Sequence, residues 1–491
     1  MDAYQQLKAV FRRLAHLRHV SAICHWDEAV MMPPGGGQAR AEALAGLHAL
    51  QHEILIDPSV KQWLDDAQSK QQNSAWDQAN LQWMEQEYLK AGCLPTDLVQ
   101  RSQLAFIRCE QAWRTLRAEN NWREFAPLLS ENIAFVKEIA QIKSSVLGVS
   151  PYDSLIDQFS PGLSQAVIDP IFNQLKLFLP DFIHRAMAKQ SSPQSIQGCF
   201  PVDKQRELGL QLMLAIGFDF NHGRLDVSHH PFCGGVPQDV RITTRYVEHE
   251  FVSASMGVCH ETGHALYERG LPADWWDQPV GESLGMAVHE SQSLLIEMQA
   301  CRSREFMQFF SSLVKEFFGE LPNFSPENLY HHYTTVKPGL IRVDADEVSY
   351  PLHVILRYEL EKKLIAGEIH CDDLPELWDG YMQAFFKLST RGNDRNGVMQ
   401  DVHWPSGAFG YFPAYTIGAI IAAQLFQAAK KRYPEILSQI SRGQFTSLVA
   451  WLRENIHSRG RLLSMNELLQ QATGQPLTVD FFIAHLQQRY A

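Results

Sequence analysis

Long apolar runs are missing from this 491-residue chain: the longest, Ala414–Ala429, is broken by Gly418 and Gln424 and is too short to span a bilayer. No membrane partner is expected. Paired cysteines are missing as well. The eight thiols, Cys24, Cys93, Cys109, Cys199, Cys233, Cys259, Cys301 and Cys371, stand singly with no CxxC spacing, the pattern of reduced thiols in a cytoplasmic protein. No Lys/Arg-rich block offsets the formal charge of −12, which argues against a nucleic-acid partner because phosphate binding needs a basic footprint. Low-complexity tracts, repeats and Gly/Ser linkers are also absent. The amphipathic, arginine-rich stretch Met1–Val20 faintly resembles a mitochondrial presequence and lacks the apolar core of a secretory signal; the reading preferred is a first helix of the mature fold.

What is present is a globular composition, 45 % hydrophobic and 20 % charged, able to bury a large core. Helical periodicity dominates. Segments near 2–24, 38–56, 74–92, 96–119, 122–147, 164–189 and 203–216 read as long amphipathic helices, with turns at Pro33–Gly37, Pro95 and Ser191–Pro193. One stretch argues for strand: from Asp239 to Val247, Val240, Ile242, Thr244 and Tyr246 alternate with polar residues, after a turn-rich Pro231–Pro237. The expected fold is all-α with one small β-sheet just before residue 253, a two-lobed helical body around a deep cleft. It is read as a single integrated domain over 1–491, with an N-terminal half of about 1–215 and a catalytic half of about 216–491.

The chemistry concentrates in His260-Glu261-Thr262-Gly263-His264. The surrounding residues Ser253–Gly270 read as a helix ending at Gly270 with Pro272 beyond. Histidines at i and i+4 then share one face, about 40° apart, and can reach one tetrahedral metal ion. Glu261 is turned away from that position and can address water instead. The spacing alone would arise by chance in about one such chain in twenty. A second segment, Gly281–Arg302, has helical apolar spacing at Leu284, Ala287, Val288, Leu294, Leu295 and Met298, with Glu290 inside that face. A buried carboxylate there needs a partner, and a metal supplies one. Glu290 is preferred as third ligand over His289, which diverges by about 100° and is kept as a group that orients a ligand. Cys259 reads as a buried, inert thiol.

Three further segments could position substrate. In Ile341–Asp346, Arg342 lies two and four residues from Asp344 and Asp346; spacing alone favours a structural ion pair over a grip on a peptide carboxylate. Gly397–Trp404 and Gly410–Tyr415 form a glycine- and aromatic-rich loop entering a helix, where His403 and Tyr411 could donate hydrogen bonds to a reaction intermediate or serve as ordinary core aromatics. His230, before Pro231, lines a cleft or caps a turn, and Asp239 pairs with Arg241 as scaffold.

These residues resemble the Taq-type metallocarboxypeptidases, zinc HExxH peptidases of neurolysin-like helical architecture. The likeness runs along nearly the whole chain: His25-Trp26-Asp27 with Met32–Gly36, the HPF triplet from His230, Asp239–Thr243, HETGH, His289–Gln292, Ile341–Asp346 and Gly397–Trp404. Pro34 and Phe385-Phe386-Lys387 depart from the family pattern without touching a chemical position. The resemblance implies release of single C-terminal residues from peptides with broad specificity, in a cytoplasmic homodimer. It implies His260, His264 and Glu290 as ligands of Zn²⁺ (Co²⁺ or Mn²⁺ as substitutes) and Glu261 as general base. Arg342 becomes the carboxylate anchor, reversing the reading from spacing, while Tyr411 and His403, with Tyr415 as an alternative, match groups that stabilise the intermediate. The rivals are a zinc oligoendopeptidase or dipeptidyl carboxypeptidase of the same architecture, and a helical binding protein that holds no metal.

Overall fold

The computed structural model describes residues 2–70 and 74–491. Among these, twenty α-helices surround one three-stranded sheet, as the periodicity predicts. The first helix, Ala3–Val30, runs one and a half turns past its expected end and carries Trp26 inward, beneath the guanidiniums of Arg241 and Arg224 at 4.3 and 5.1 Å. Within the first 216 residues two helices, Pro58–Gln68 and Pro151–Phe159, are too short for their periodicity to show. Both start with Pro at the first helical position behind a capping side chain, Asp57 and Ser150.

The sheet corrects two expectations. Strand β3, Asp239–Thr244, ends three residues early. The stretch expected to be a turn before it contains strand β2, Phe232–Val236, joined to β3 by the two-residue turn Pro237-Gln238. Gly235 makes this possible: its φ is +97°, and a Cβ there would sit 2.0 Å from the Asp239 carbonyl oxygen. Strand β1, Gly223–Val227, pairs parallel to the other side of β3, so the order is β1-β3-β2. Leu225, Val240 and Ile242 pack on Val258 and Ala265 of the helix that carries HETGH. Each such burial contributes about 1.5–3 kcal/mol, and together they fix that helix against the sheet.

One large cluster of buried apolar residues extends from Phe106 to Leu486. A smaller one, Leu7, Phe11, Leu14, Leu55, Val60, Leu64, Ala67, Leu81 and Met84, belongs to the first helices. Between them run polar contacts: Arg12 to Asp277 at 2.5 Å, Arg18 to Glu282 at 2.7 Å, and Asn80 to Gln278 at 3.1 Å. A cavity of about 910 Å³ opens between helix Thr96–Ala118, the His229-His230 turn and the segments 341–343 and 395–403. None of the described helices is long and apolar enough to cross a membrane.

Candidate metal centre

HETGH lies in the middle of helix Val252–Gly270, where its backbone is fully hydrogen-bonded and its side chains are held at fixed angles. The helix approaches its neighbour, Met286–Leu294, at Gly263: a Cβ there would meet the Gln292 carbonyl oxygen and the Ser293 Cα at 2.6 Å. A third helix, Pro413–Arg432, closes in the same way at Gly418, where a Cβ would lie 2.9 Å from the Cβ of Glu290. Two glycines therefore let three helices converge, and Glu290 is trapped among them. Gly263→Ala is expected to wedge the first two helices apart and weaken metal affinity by about tenfold or more, read by titration against a chelator; unchanged affinity would show that the packing tolerates the methyl.

The convergence brings His260, His264 and Glu290 together with their ligand atoms all within 4.8 Å of one another. Nε2 of His264 is 3.5 Å from Oε2 of Glu290. The remaining imidazole nitrogens are occupied from behind. His264 Nδ1 lies 2.6 Å from His289 Nδ1, and His289 Nε2 lies 2.7 Å from Glu268 Oε1. His289 thus orients a candidate ligand, as expected, and Glu290 alone of the two faces the cluster. His260 Nδ1 meets Glu297 Oε2 at 2.8 Å, and Glu297 in turn is held by Arg302. Both Nε2 atoms are left pointing to the same place.

The sequence reading missed Glu297. It stands two helical turns beyond Glu290 on the same buried face, a spacing that could have singled it out. The expected helix over Gly281–Arg302 also differs: it starts only at Met286 and passes into a π-helix at Leu295–Cys301. That widened turn carries Glu297, and such turns recur at functional sites.

Charge in the cluster is unbalanced toward acid. Burial opposes ionisation of Glu297, yet Arg302 and His260 hold its carboxyl at about 2. Burial also opposes a charge on His260, but its bond to Glu297 and the field of Glu290 raise it to about 10. Glu261, 7 % exposed, is pushed up to about 7 by burial. Two nitrogen donors and a carboxylate, with further buried acids around them, fit a divalent cation, and the donor types suit zinc. Cys259 remains a buried thiol outside this set.

Three of the other candidates, His403, Tyr411 and Tyr415, pack against one another. His403 Nε2 is 3.2 Å from the Tyr415 hydroxyl, while its buried Nδ1 has no hydrogen-bond partner among the described residues. The ring of Tyr411 stands 5.2 Å from that of Tyr415 and 5.3 Å from that of His403. Burial keeps His403 neutral, down to about 4, and raises the phenol of Tyr411. His230 is exposed and lines the 910 Å³ cavity with Arg342 and His403, a cavity that the metal-binding cluster itself does not line. Its carbonyl also accepts from the Ser228 hydroxyl at 2.5 Å, so it serves the turn too. Asp239 and Arg241 pair at 2.8 Å, as expected.

For Arg342 the structure replaces the expected partner. Its Nε and Nη2 reach Asp401 Oδ1 at 3.0 and 2.9 Å, and Nη1 donates to the Tyr350 hydroxyl at 2.6 Å. Asp344 is exposed, and Asp346 instead accepts from the backbone of Lys337, Val348 and Ser349. Asp401 also takes the Arg357 Nε at 2.6 Å. No sequence signal links these groups, because Arg342 and Asp401 sit on different loops.

Known proteins resemble the chain from end to end. A family model described as carboxypeptidase Taq (M32) metallopeptidase matches residues 6–490. The thermostable carboxypeptidase 1 of Thermus thermophilus is 36 % identical, over 100 % of this chain and 98 % of its own. Carboxypeptidase 1 of Bacillus subtilis is 32 % identical, over 98 % and 97 %. The solved structure of metallocarboxypeptidase 1 from Trypanosoma cruzi superposes with a TM-score of 0.98 at 38 % identity, covering 99 % of each chain.

Proposed function

Because the chain belongs to the carboxypeptidase Taq (M32) metallopeptidase family and is a metallocarboxypeptidase, we propose that it releases single amino acids from peptide C-termini with broad specificity, using zinc. The observation that carries this reading is the His260–His264–Glu290 cluster, with His264 and Glu290 buried and His260 half-buried, and Glu261 one residue from the first histidine. Zn²⁺, or Co²⁺ or Mn²⁺ in its place, held by these three side chains supplies a Lewis acid that polarises the scissile carbonyl and acidifies water. Glu261 takes the proton of the attacking water and returns it to the leaving amine. Tyr411 and His403, with Tyr415 behind His403, donate to the oxygen on which charge develops. Arg342, fixed by Asp401 and Tyr350, turns its remaining N–H bonds to the terminal carboxylate of the substrate, and His230 borders the bound peptide.

The test is mass spectrometry of one peptide and its amidated twin after incubation with the zinc-loaded enzyme. Stepwise loss of single residues from the free peptide alone is expected. Internal cuts in both peptides would move the protein to the oligoendopeptidases, and two-residue steps to the dipeptidyl carboxypeptidases. The single integrated domain, homodimeric assembly and cytoplasmic setting expected for the chain belong to the same proposal; light scattering decides the oligomeric state.

A further inference from the structure

Glu361 is fully buried, yet it makes no ion pair among the described residues. It lies on helix Tyr350–Ala366 and accepts three hydrogen bonds, all from neutral donors. Oε1 takes the Trp404 indole N–H at 2.7 Å; Oε2 takes the Tyr152 hydroxyl at 2.7 Å and the Gly410 backbone N–H at 2.8 Å. Burying a carboxylate is costly without such donors, and burial pushes this one up to about 7. The donors are placed informatively. Trp404 follows His403 directly, and Gly410 directly precedes Tyr411.

The segment 404–410 is braced in its middle by the Gly407 and Ala408 N–H groups, which donate to the Trp404 and His403 carbonyls at 3.1 and 2.8 Å, and by Asn132, which donates to the Pro405 carbonyl at 2.7 Å. Gly410 has φ +86° and lies so close to the helix bearing Tyr152 that a Cβ would meet Leu155 and Ile156 backbone atoms at 2.7 Å. Trp404 stacks on Phe409 with ring centroids 5.9 Å apart. One carboxylate therefore grips both ends of the loop at once. We propose that Glu361 is a positioning residue: by holding Trp404 and Gly410 it sets the places of His403 and Tyr411 relative to each other and to the substrate carbonyl. This rests on the reading of His403 and Tyr411 given above.

An amide cannot replace the carboxylate here. With its oxygen toward Gly410 and Tyr152, the Gln NH₂ would face the Trp404 N–H; flipped, it would orphan the Gly410 N–H. In zinc-loaded Glu361→Gln, kcat is expected to fall by about tenfold to a hundredfold with KM within about twofold and metal content unchanged, as for a group misplaced by a fraction of an ångström to an ångström. Hydrogen exchange at Gly410 is expected to quicken. Trp404→Phe, which removes one donor and keeps an aromatic ring, serves if Glu361→Gln fails to fold, and is expected to lose kcat by about fivefold. Full kcat in the folded variant despite faster exchange at Gly410 overturns the proposal. Tyr411→Phe and His403→Gln, assayed alongside, separate the two levels: if both keep full kcat the underlying reading falls, and if they lose it while Glu361→Gln does not, only the positioning role falls. A double variant Glu361→Gln/Tyr411→Phe that loses no more than Tyr411→Phe alone supports it.

Discussion

Glu261→Gln is expected to bind metal as tightly as the parent and to lose about 10³-fold in kcat, within the range by which a positioned general base accelerates proton transfer. The substitution keeps shape and the ability to accept one hydrogen bond, and it leaves His260, His264 and Glu290 untouched. What it removes is a group that can take a proton and give it back. The site magnifies that loss: Glu261 is 7 % exposed, and burial brings its carboxyl up to about 7, near the pH at which a base both accepts and releases protons well. Bulk water has little access to replace it. Metal content by atomic emission and kcat on an N-acylated dipeptide with a free C-terminus check the prediction together. Substantial turnover with a full complement of metal would remove Glu261 from the mechanism, whereas loss of metal would show that its charge stabilises the cluster instead.

The metal cluster was legible in the sequence because its geometry is local. A helix turns His260 and His264 onto one face whatever surrounds it, and the apolar spacing around Glu290 shows which side of the next helix is buried. The groups behind the ligands follow a different logic. Glu297 reaches His260 only because the helix widens into a π-turn, and Glu268 reaches His264 only through His289. Arg342 illustrates the limit most clearly: spacing favoured a structural ion pair, and the ion pair exists, but with Asp401 rather than Asp344 or Asp346. Strand β1 was equally hidden. Its parallel pairing with β3 is made by tertiary contact, and five residues with only Leu225 fully buried leave no alternation to detect.

Asp401→Asn is expected to cost about 3–5 kcal/mol of stability, because it leaves two buried guanidiniums facing each other without their shared acid. The side chains of Arg342 and Arg357 are 6 % and 0 % exposed, and Asp401 stands between them. Burial disfavours the ionised form of Asp401, but Arg357 and Arg342 hold its carboxyl well below the usual range. A carboxyl depressed in the folded state contributes stability above its unfolded value of about 4 and loses it as pH falls toward the folded one. The stability gap between parent and variant in urea unfolding should therefore be flat from neutral pH down to about 5 and narrow below about 4. A gap that is small throughout would mean that the guanidiniums find other partners. Arg342→Met separates fold from function at the same place. It leaves Asp401 paired with Arg357, so its stability loss should be the smaller of the two. Its activity on peptides with a free C-terminus should still fall, by about a hundredfold for loss of a buried, charge-assisted contact to carboxylate. Unchanged activity on those peptides would assign Arg342 to the scaffold alone.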